Sequence, residues 1–544
     1  MRARVGLLAF SDRLAARLRA GRSVLAAVIA GAIVVVAVLR ITQSYGILSG
    51  TFDEPAHVAA GMQWLDQGRF DYEQLTPPLA RVAVALGPYL VGIRSHGSET
   101  IWREGKRILY SDGEYRRNLA LARLGVLPFF LVTVLVVWCW ARRLGGAPTA
   151  AAAVGLCATL PPLLAHSGLA TTDMPATAMS TLALYQFSCW LDERALWRSA
   201  ALGMAVGLCV LAKFTLLLFL PVGGLAILLL RWRGRFSAQP ASPALRIPAS
   251  LGIAAGLAAL VVWAGYRFSF GPALGALPVP ASELWQGLAD AWRLNAAIGQ
   301  EAYLFGDISN TGWWYFFPVA LAVKTPLPFF VLALVGVWGA IRQQAARRFL
   351  EPALAAAAIL ATVIFVNLNI GLRHVLPIYP LAAVVAGFGV TVMWTAVPRR
   401  SVMRTAVVAL LLWQVGSTWR AHPDYLPWFN VLAGREPERI LVGGDLDWGQ
   451  DLLRLADTVR ARGIDSLTLA YFGSADPREH FARVRPMARF ERPSGWFAVS
   501  VAVIKGLHVP DHTGFEWLEA VEPEAKIGKS IRLYHLGEAN GQPP

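Results

Sequence analysis

Long apolar runs separated by short arginine-rich segments are the first constraint on this chain. About 20 apolar residues span a bilayer core as a helix, where every backbone polar group must be satisfied internally. Such runs lie at about 24–41, 119–141, 149–165, 174–190, 248–266, 317–341, 352–366 and 375–395, and another ends near 419. The segment 200–230 admits one long crossing or two short ones. One crossing would put Arg231, Arg233, Arg235 and Arg246 outside; two, turning at Lys213, put them inside as the positive-inside rule requires. The spacing therefore predicts about eleven spans, with the N-terminus cytoplasmic.

Composition agrees. Of 544 residues, 56% are hydrophobic and 16% charged, against roughly 45–50% and 25% in soluble domains. The net charge of +15 would suit a nucleic-acid binder. Its arginines, however, cluster between apolar runs, as at Arg142-Arg143, Arg347-Arg348 and Arg399-Arg400. That is the pattern of cytoplasmic loops, and nucleic acid is set aside as a partner. An arginine-rich start, Arg2 to Arg22, before the first run reads as an uncleaved anchor. The four cysteines all fall in or beside apolar runs, so no disulfide framework is expected.

Two regions follow. Residues 1–419 read as a transmembrane domain with long outer loops at 42–118 and 267–312. Residues 420–544 read as a small soluble α/β domain outside the cytoplasm, with strands near 439–442, 466–472, 496–504 and 530–536 and helices near 451–462 and 515–521. The run 82–92 is too short to cross and is expected in the interface.

On this topology unusual ionisable residues gather at the outer face. Asp53, Glu54 and His57 follow the first span, with His57 one helical turn beyond both acids. Asp173 lies between spans three and four, Lys213 at an outer turn, Lys324 in the outer part of span eight, and Arg373 before span ten. Ionisable groups at a membrane boundary need partners and mark functional sites. One chemistry uses them all: a hydroxyl attacks an activated sugar whose leaving group is a phosphate. Asp53 would take the hydroxyl proton, with Glu54 and Asp173 in support. Lys213, Lys324, Arg373 and His57 would hold the phosphate. Plainer roles stand beside these: Lys213 snorkelling, Lys324 and Arg373 pairing helices, and Asp173 capping the helix that follows. Asp53 and Asp173 also offer oxygen ligands for a divalent metal, although no compact ligand motif is present and no cofactor is required. The run Trp313–Phe317 suits an interfacial belt or a wall against a lipid chain or sugar ring.

The stretches FDEPAH, TPPLAR, GLATTDMP, LAKFT, GWWYFFPVALAVKTPL, NIGLRHVLPIYP and YLPWFNVLAG…DLDWGQD resemble the GT-C superfamily of polyprenyl-phosphate-sugar-dependent glycosyltransferases. The nearest branch holds the protein O-mannosyltransferases and the lipid A aminoarabinose transferases. The resemblance implies a polytopic α-helical enzyme in a bacterial inner membrane. It implies inverting transfer from a polyprenyl-phosphate sugar to a glycan, lipid or protein hydroxyl, with the base at Asp53 and a second acid at Asp173. It maps Lys213, Lys324 and Arg373 less directly onto the donor phosphate. The family often has His before the two prolines, where this chain has Thr76. A lipid or solute transporter is the rival reading; transporters show repeated halves and mid-membrane charges, and here no repeat is evident and the charges sit at one face.

Overall fold

The computed structural model describes residues 2–234, 246–273, 278–297, 300–365, 369–488 and 491–537. Arg235 and Asn367, both placed in connecting turns by the sequence, lie outside those residues.

Through residue 421 the described residues are mainly helical, interrupted by two short antiparallel hairpins, Phe270–Pro272 with Pro278–Pro280 and Ala302–Leu304 with Asp307–Ser309. Five helices are long and apolar enough to cross a membrane: Gly21–Ser44, Tyr115–Cys157, Leu216–Arg233, Ile247–Gly265 and Ile378–Thr395. A bent pair, Phe316–Lys324 and Leu327–Arg342, turns by 110° and makes a sixth if taken as one span. The break falls at Thr325-Pro326, where proline removes an N–H and biases the residue before it away from helix. Other apolar stretches form shorter or more polar helices, including Asp173–Asp192, Leu196–Ala212, Leu350–Val363 and Arg400–Ala421. Composition and length thus identify five or six spans among the described residues, where the hydropathy pattern predicts about eleven. Leu196–Ala212 and Leu350–Val363 fall short in length, at 17 and 14 residues, and Asp173–Asp192 is largely buried by its neighbours. A sheathed helix can carry Ser, Thr and Asp, as Asp173–Asp192 does, and so loses the apolar signature.

Tyr115–Cys157 is broken at Gly146, whose φ of 82° lies outside the helical region. This is the point where the Arg142-Arg143 pair separates two runs in the sequence. The segment around Lys213 is broken in the same way: one helix ends at Ala212, Lys213 is extended, and the next begins at Leu216. At the far ends of these helices a charged network gathers. Asp192 pairs with Arg143, Arg231 and Arg348, and Glu351, wholly buried, pairs with Arg231 at 3.0 Å and Arg348 at 3.0 Å. Arg231 therefore sits on the same side as Arg143 and Arg348, as a double crossing about Lys213 requires.

The segments between these helices position the rest. The short helix Glu54–Gln67 packs on Pro78–Leu90, with Gly61 beneath the Arg81 carbonyl at a distance no Cβ could share. After residue 421 the chain builds a mixed five-stranded sheet. Its spatial order is Val484–Pro486, Leu467–Ala470, Gly495–Ser500, Ile531–Leu536, Ala525–Ile527. The first two contacts are parallel and the last two antiparallel. Side chains alternate across the central strand: Ala498 joins the main core beneath the helix Leu452–Ala461, while Phe497 and Val499 face a second cluster with Leu518 and Tyr534. The stretch 439–442 is not a strand; a 3-10 turn, Pro437–Arg439, leads into it. The main core runs without a gap from the helices into the sheet.

Buried carboxylates in residues 445–451 brace the C-terminal region, and Asp445 ties it to the Leu372 N–H. Asp447 accepts the Ala502 N–H at 2.9 Å and the Gly449 N–H at 3.3 Å, and burial pushes its carboxyl up to about 7. The folded state thus keeps a proton that the unfolded chain, near its ordinary value of about 3.9, has lost. Stability should fall as pH rises from about 4 to about 7, by about 1.4 kcal/mol per pH unit for this group, and level off above. Asp447→Asn removes the titration, and its apparent melting temperature in detergent should show a flatter pH profile than wild type over that window.

Candidate active site

Between the helices and the C-terminal region lies a cavity of about 860 Å³. That lies within the usual range for small-molecule sites, roughly 300–1,000 Å³. Asp53, His57, Asp173, Lys213 and Arg373 all line it. The chain brings them together from four separate stretches, up to 320 positions apart for Asp53 and Arg373.

Asp53 stands just before the helix Glu54–Gln67, with Pro55 in the first turn, where its missing N–H costs nothing. One carboxylate oxygen of Asp53 accepts from Arg373 Nη1 at 2.5 Å. Arg373 sits in the turn Leu372–Val375, opened by Gly371 at a φ of 133°, a conformation suited to glycine. Its Nε has no protein partner. Across the cavity Asp173 opens the helix Asp173–Asp192, with Thr172 in the cap position, and accepts from Lys213 Nζ at 2.7 Å. The helix break at Lys213 is what frees that side chain to turn inward. Asp173 also accepts from the Thr171 hydroxyl at 3.2 Å and lies 3.9 Å from His166 Nδ1.

Three imidazoles sit in this region with nitrogens that lack a partner: His57, His166 and His374. Burial, helped by the Arg81 charge, lowers His57 to about 4. The ring is therefore neutral near pH 7 and can offer a neutral N–H or a lone pair, but no positive charge to a phosphate.

Two expected site residues face elsewhere. Glu54, expected beside Asp53 in the chemistry, is wholly buried and does not line the cavity. Successive residues of a helix point in different directions, so neighbours in sequence part company here. Its carboxylate accepts from Arg123 at 2.8 and 2.9 Å and from the Thr51 and Ala170 N–H groups at 2.7 Å. Burial alone would raise this carboxyl, but Arg123 and these donors hold it below its ordinary value. Lys324, expected at the phosphate, is also absent from the lining; its ammonium donates to the Leu426 and Asp445 carbonyls at 2.6 Å and lies over Phe429. As for a metal, no group of three or more His, Cys, Asp or Glu among the described residues could hold one. Asp53 and Asp173 are each already engaged with a cation.

Sequence reasoning gave no site role to Arg123, His374, or the wall supplied by the C-terminal region, including Phe472, His508, and Asp445 and Trp448 of the DLDWGQD motif. Within the aromatic run 313–317, Trp314 is 67% exposed, while Phe316 is buried and lines the cavity.

Residues 117–266 match the family model for dolichyl-phosphate-mannose-protein mannosyltransferase. The match covers Asp173 and Lys213 and stops short of Asp53 and Arg373. It bears out the resemblance to membrane glycosyltransferases carried by the motifs. No curated protein matches the chain. Among solved structures, it is similar to ArnT from Cupriavidus metallidurans bound to undecaprenyl phosphate, at 12% identity and a TM-score of 0.49 over 94% of this chain and 98% of that one. It is also similar to the Archaeoglobus fulgidus oligosaccharyltransferase in complex with Zn and sulfate, at 11% identity and a TM-score of 0.43 over 87% of this chain and 68% of that one.

The Glu54–Arg123 pair gives a stability test. Arg123→Met strands a buried carboxylate and should cost about 3–5 kcal/mol. Adding Glu54→Gln should restore part of it. Thermal unfolding of the purified single and double variants reads both effects; equal melting of wild type and Arg123→Met would assign the pair no structural weight.

Proposed function

We propose that this chain is a polytopic membrane glycosyltransferase, with about eleven crossings by the topology argument. It transfers a sugar from a polyprenyl-phosphate donor to a hydroxyl outside the cytoplasm of a bacterial cell. The observation that carries the reading is the pairing of two carboxylate–cation couples, Asp53 with Arg373 and Asp173 with Lys213, about a single cavity.

The chemistry needs both signs. The acceptor oxygen attacks the anomeric carbon as the bond to the phosphate oxygen breaks, and that bond's electron pair leaves on the phosphate. Asp53 receives the acceptor's proton. Arg373 and Lys213 are placed to stabilise the charge that grows on the phosphate, where water exclusion strengthens their effect. Arg373 can do so while still holding Asp53, because it engages that carboxylate through Nη1 and also lines the cavity. Asp173 holds Lys213 in the cavity and is a second acid beside the acceptor. Attack from the side opposite the phosphate inverts the anomeric centre. Membrane lipids border the donor's chain, and the C-terminal sheet region, residues 420–544, closes the cavity from outside.

Asp53→Asn is the direct test. It removes the proton acceptor while leaving size and shape nearly unchanged. Transfer from polyprenyl-phosphate sugars should fall by about 100-fold or more, the order for loss of a general base. Affinity for undecaprenyl phosphate should survive. Turnover at the wild-type rate would remove Asp53 from this role.

A further inference from the structure

The run Asp445 to Asp451, DLDWGQD, has a place in the site that the transfer chemistry above leaves unused. Its Trp448 ring lies under the Arg373 guanidinium, 4.1 Å from ring centroid to Cζ. Trp448 is 3% exposed, so the contact is largely desolvated, the condition in which a cation over an aromatic face is held most strongly. Three residues earlier, Asp445 receives the Leu372 N–H at 3.0 and 3.3 Å, which fixes the backbone directly before Arg373. The same run grips the other partner of the ion pair. Its Trp448 carbonyl accepts the Phe52 N–H at 3.0 Å, directly before Asp53. The Gln450 carbonyl accepts the Ser49 N–H at 2.9 Å, and the Gly449 carbonyl accepts the Ser49 hydroxyl at 3.0 Å. Lys324 braces the run from behind through the Asp445 carbonyl.

We infer that Trp448 and Asp445 are positioning residues, which hold Arg373 and Asp53 in register so that the guanidinium faces the cavity to meet an anionic phosphate ester. Asp53 and Arg373 lie 320 positions apart, and residues 445–451 bond to the backbone directly before each of them. The stacked ring pins one face of the guanidinium, and the backbone bonds set the height of the Asp53 loop. The inference rests on the proposed lipid-phosphate reading for its ligand but not for its geometry, and the two are separable by experiment.

The test uses the full-length protein in detergent with Trp448→Met, which keeps bulk without an aromatic face, Trp448→Phe, which keeps a face, and Asp445→Ala. The first readout needs no donor: the rate at which phenylglyoxal modifies Arg373, followed by peptide mass spectrometry. Trp448→Met and Asp445→Ala should raise that rate several-fold at matched melting temperature, and Trp448→Phe should stay near wild type. Unchanged rates in both Trp448→Met and Asp445→Ala would overturn the inference. The second readout is affinity for undecaprenyl phosphate. Trp448→Met should bind about tenfold more weakly, the order of a desolvated cation–π contact, and Trp448→Phe should recover most of the loss. Equal affinity in wild type and Trp448→Met would also count against the positioning role. Failure of wild type itself to bind would sink the lipid-phosphate reading, while the modification rates still decide whether the run positions Arg373. If Trp448→Met does not fold, Asp445→Ala and Trp448→Phe carry the same comparison.

Discussion

One buried ion pair sets the stage for everything at the cavity end of this protein. Arg123 and Glu54 are both inaccessible to solvent. Their hydrogen bonds reach the end of the first helix through the Leu48 and Ser49 carbonyls, the Asp53 loop through the Thr51 N–H, and the loop before Asp173 through the Ala170 N–H. A buried charge is tolerable only when paired and hydrogen-bonded throughout, and this pair meets that condition. Its effect is to lock two acid-bearing loops, otherwise 116 positions apart at their Glu54–Ala170 contact, onto one helix.

With that frame in place, the cavity follows from three interruptions of helix. The chain breaks at Lys213, at Thr325-Pro326 and at the turn opened by Gly371. Each break releases backbone groups that a lipid environment cannot satisfy, so each must be covered by protein or border a wet hollow. Lys213 and Arg373 turn toward the hollow and meet Asp173 and Asp53. Lys324, at the Thr325-Pro326 break, turns away and satisfies carbonyls of the C-terminal region instead. The same chemistry, a basic side chain at a broken helix, therefore serves the site twice and the scaffold once.

Much of this was legible before any coordinates. Charge asymmetry alone placed the turn at Lys213, and the network around Asp192 and Arg231 follows from the same rule. Asp53, Asp173, Lys213 and Arg373 stood out because ionisable residues beside apolar runs are costly without a purpose. Glu54 and Lys324 stood out for the same reason, and cost does not distinguish a structural purpose from a chemical one. The structure separates them by direction: one helical step turns Glu54 away from Asp53 into Arg123. The strands at 467–470, 495–500 and 531–536 followed from alternation, while the two short edge strands, three residues each, were too brief to leave a pattern.

The sequence by itself determined that the chain is built from membrane-spanning helices and which residues carry unusual charge, because hydropathy and charge are local properties read residue by residue. Only the tertiary structure decided which charges meet. Arg373 finds Asp53 through a turn, a tryptophan face and a loop drawn from three distant parts of the chain. Partnership of that kind depends on distances in space, and a linear order of residues does not contain them.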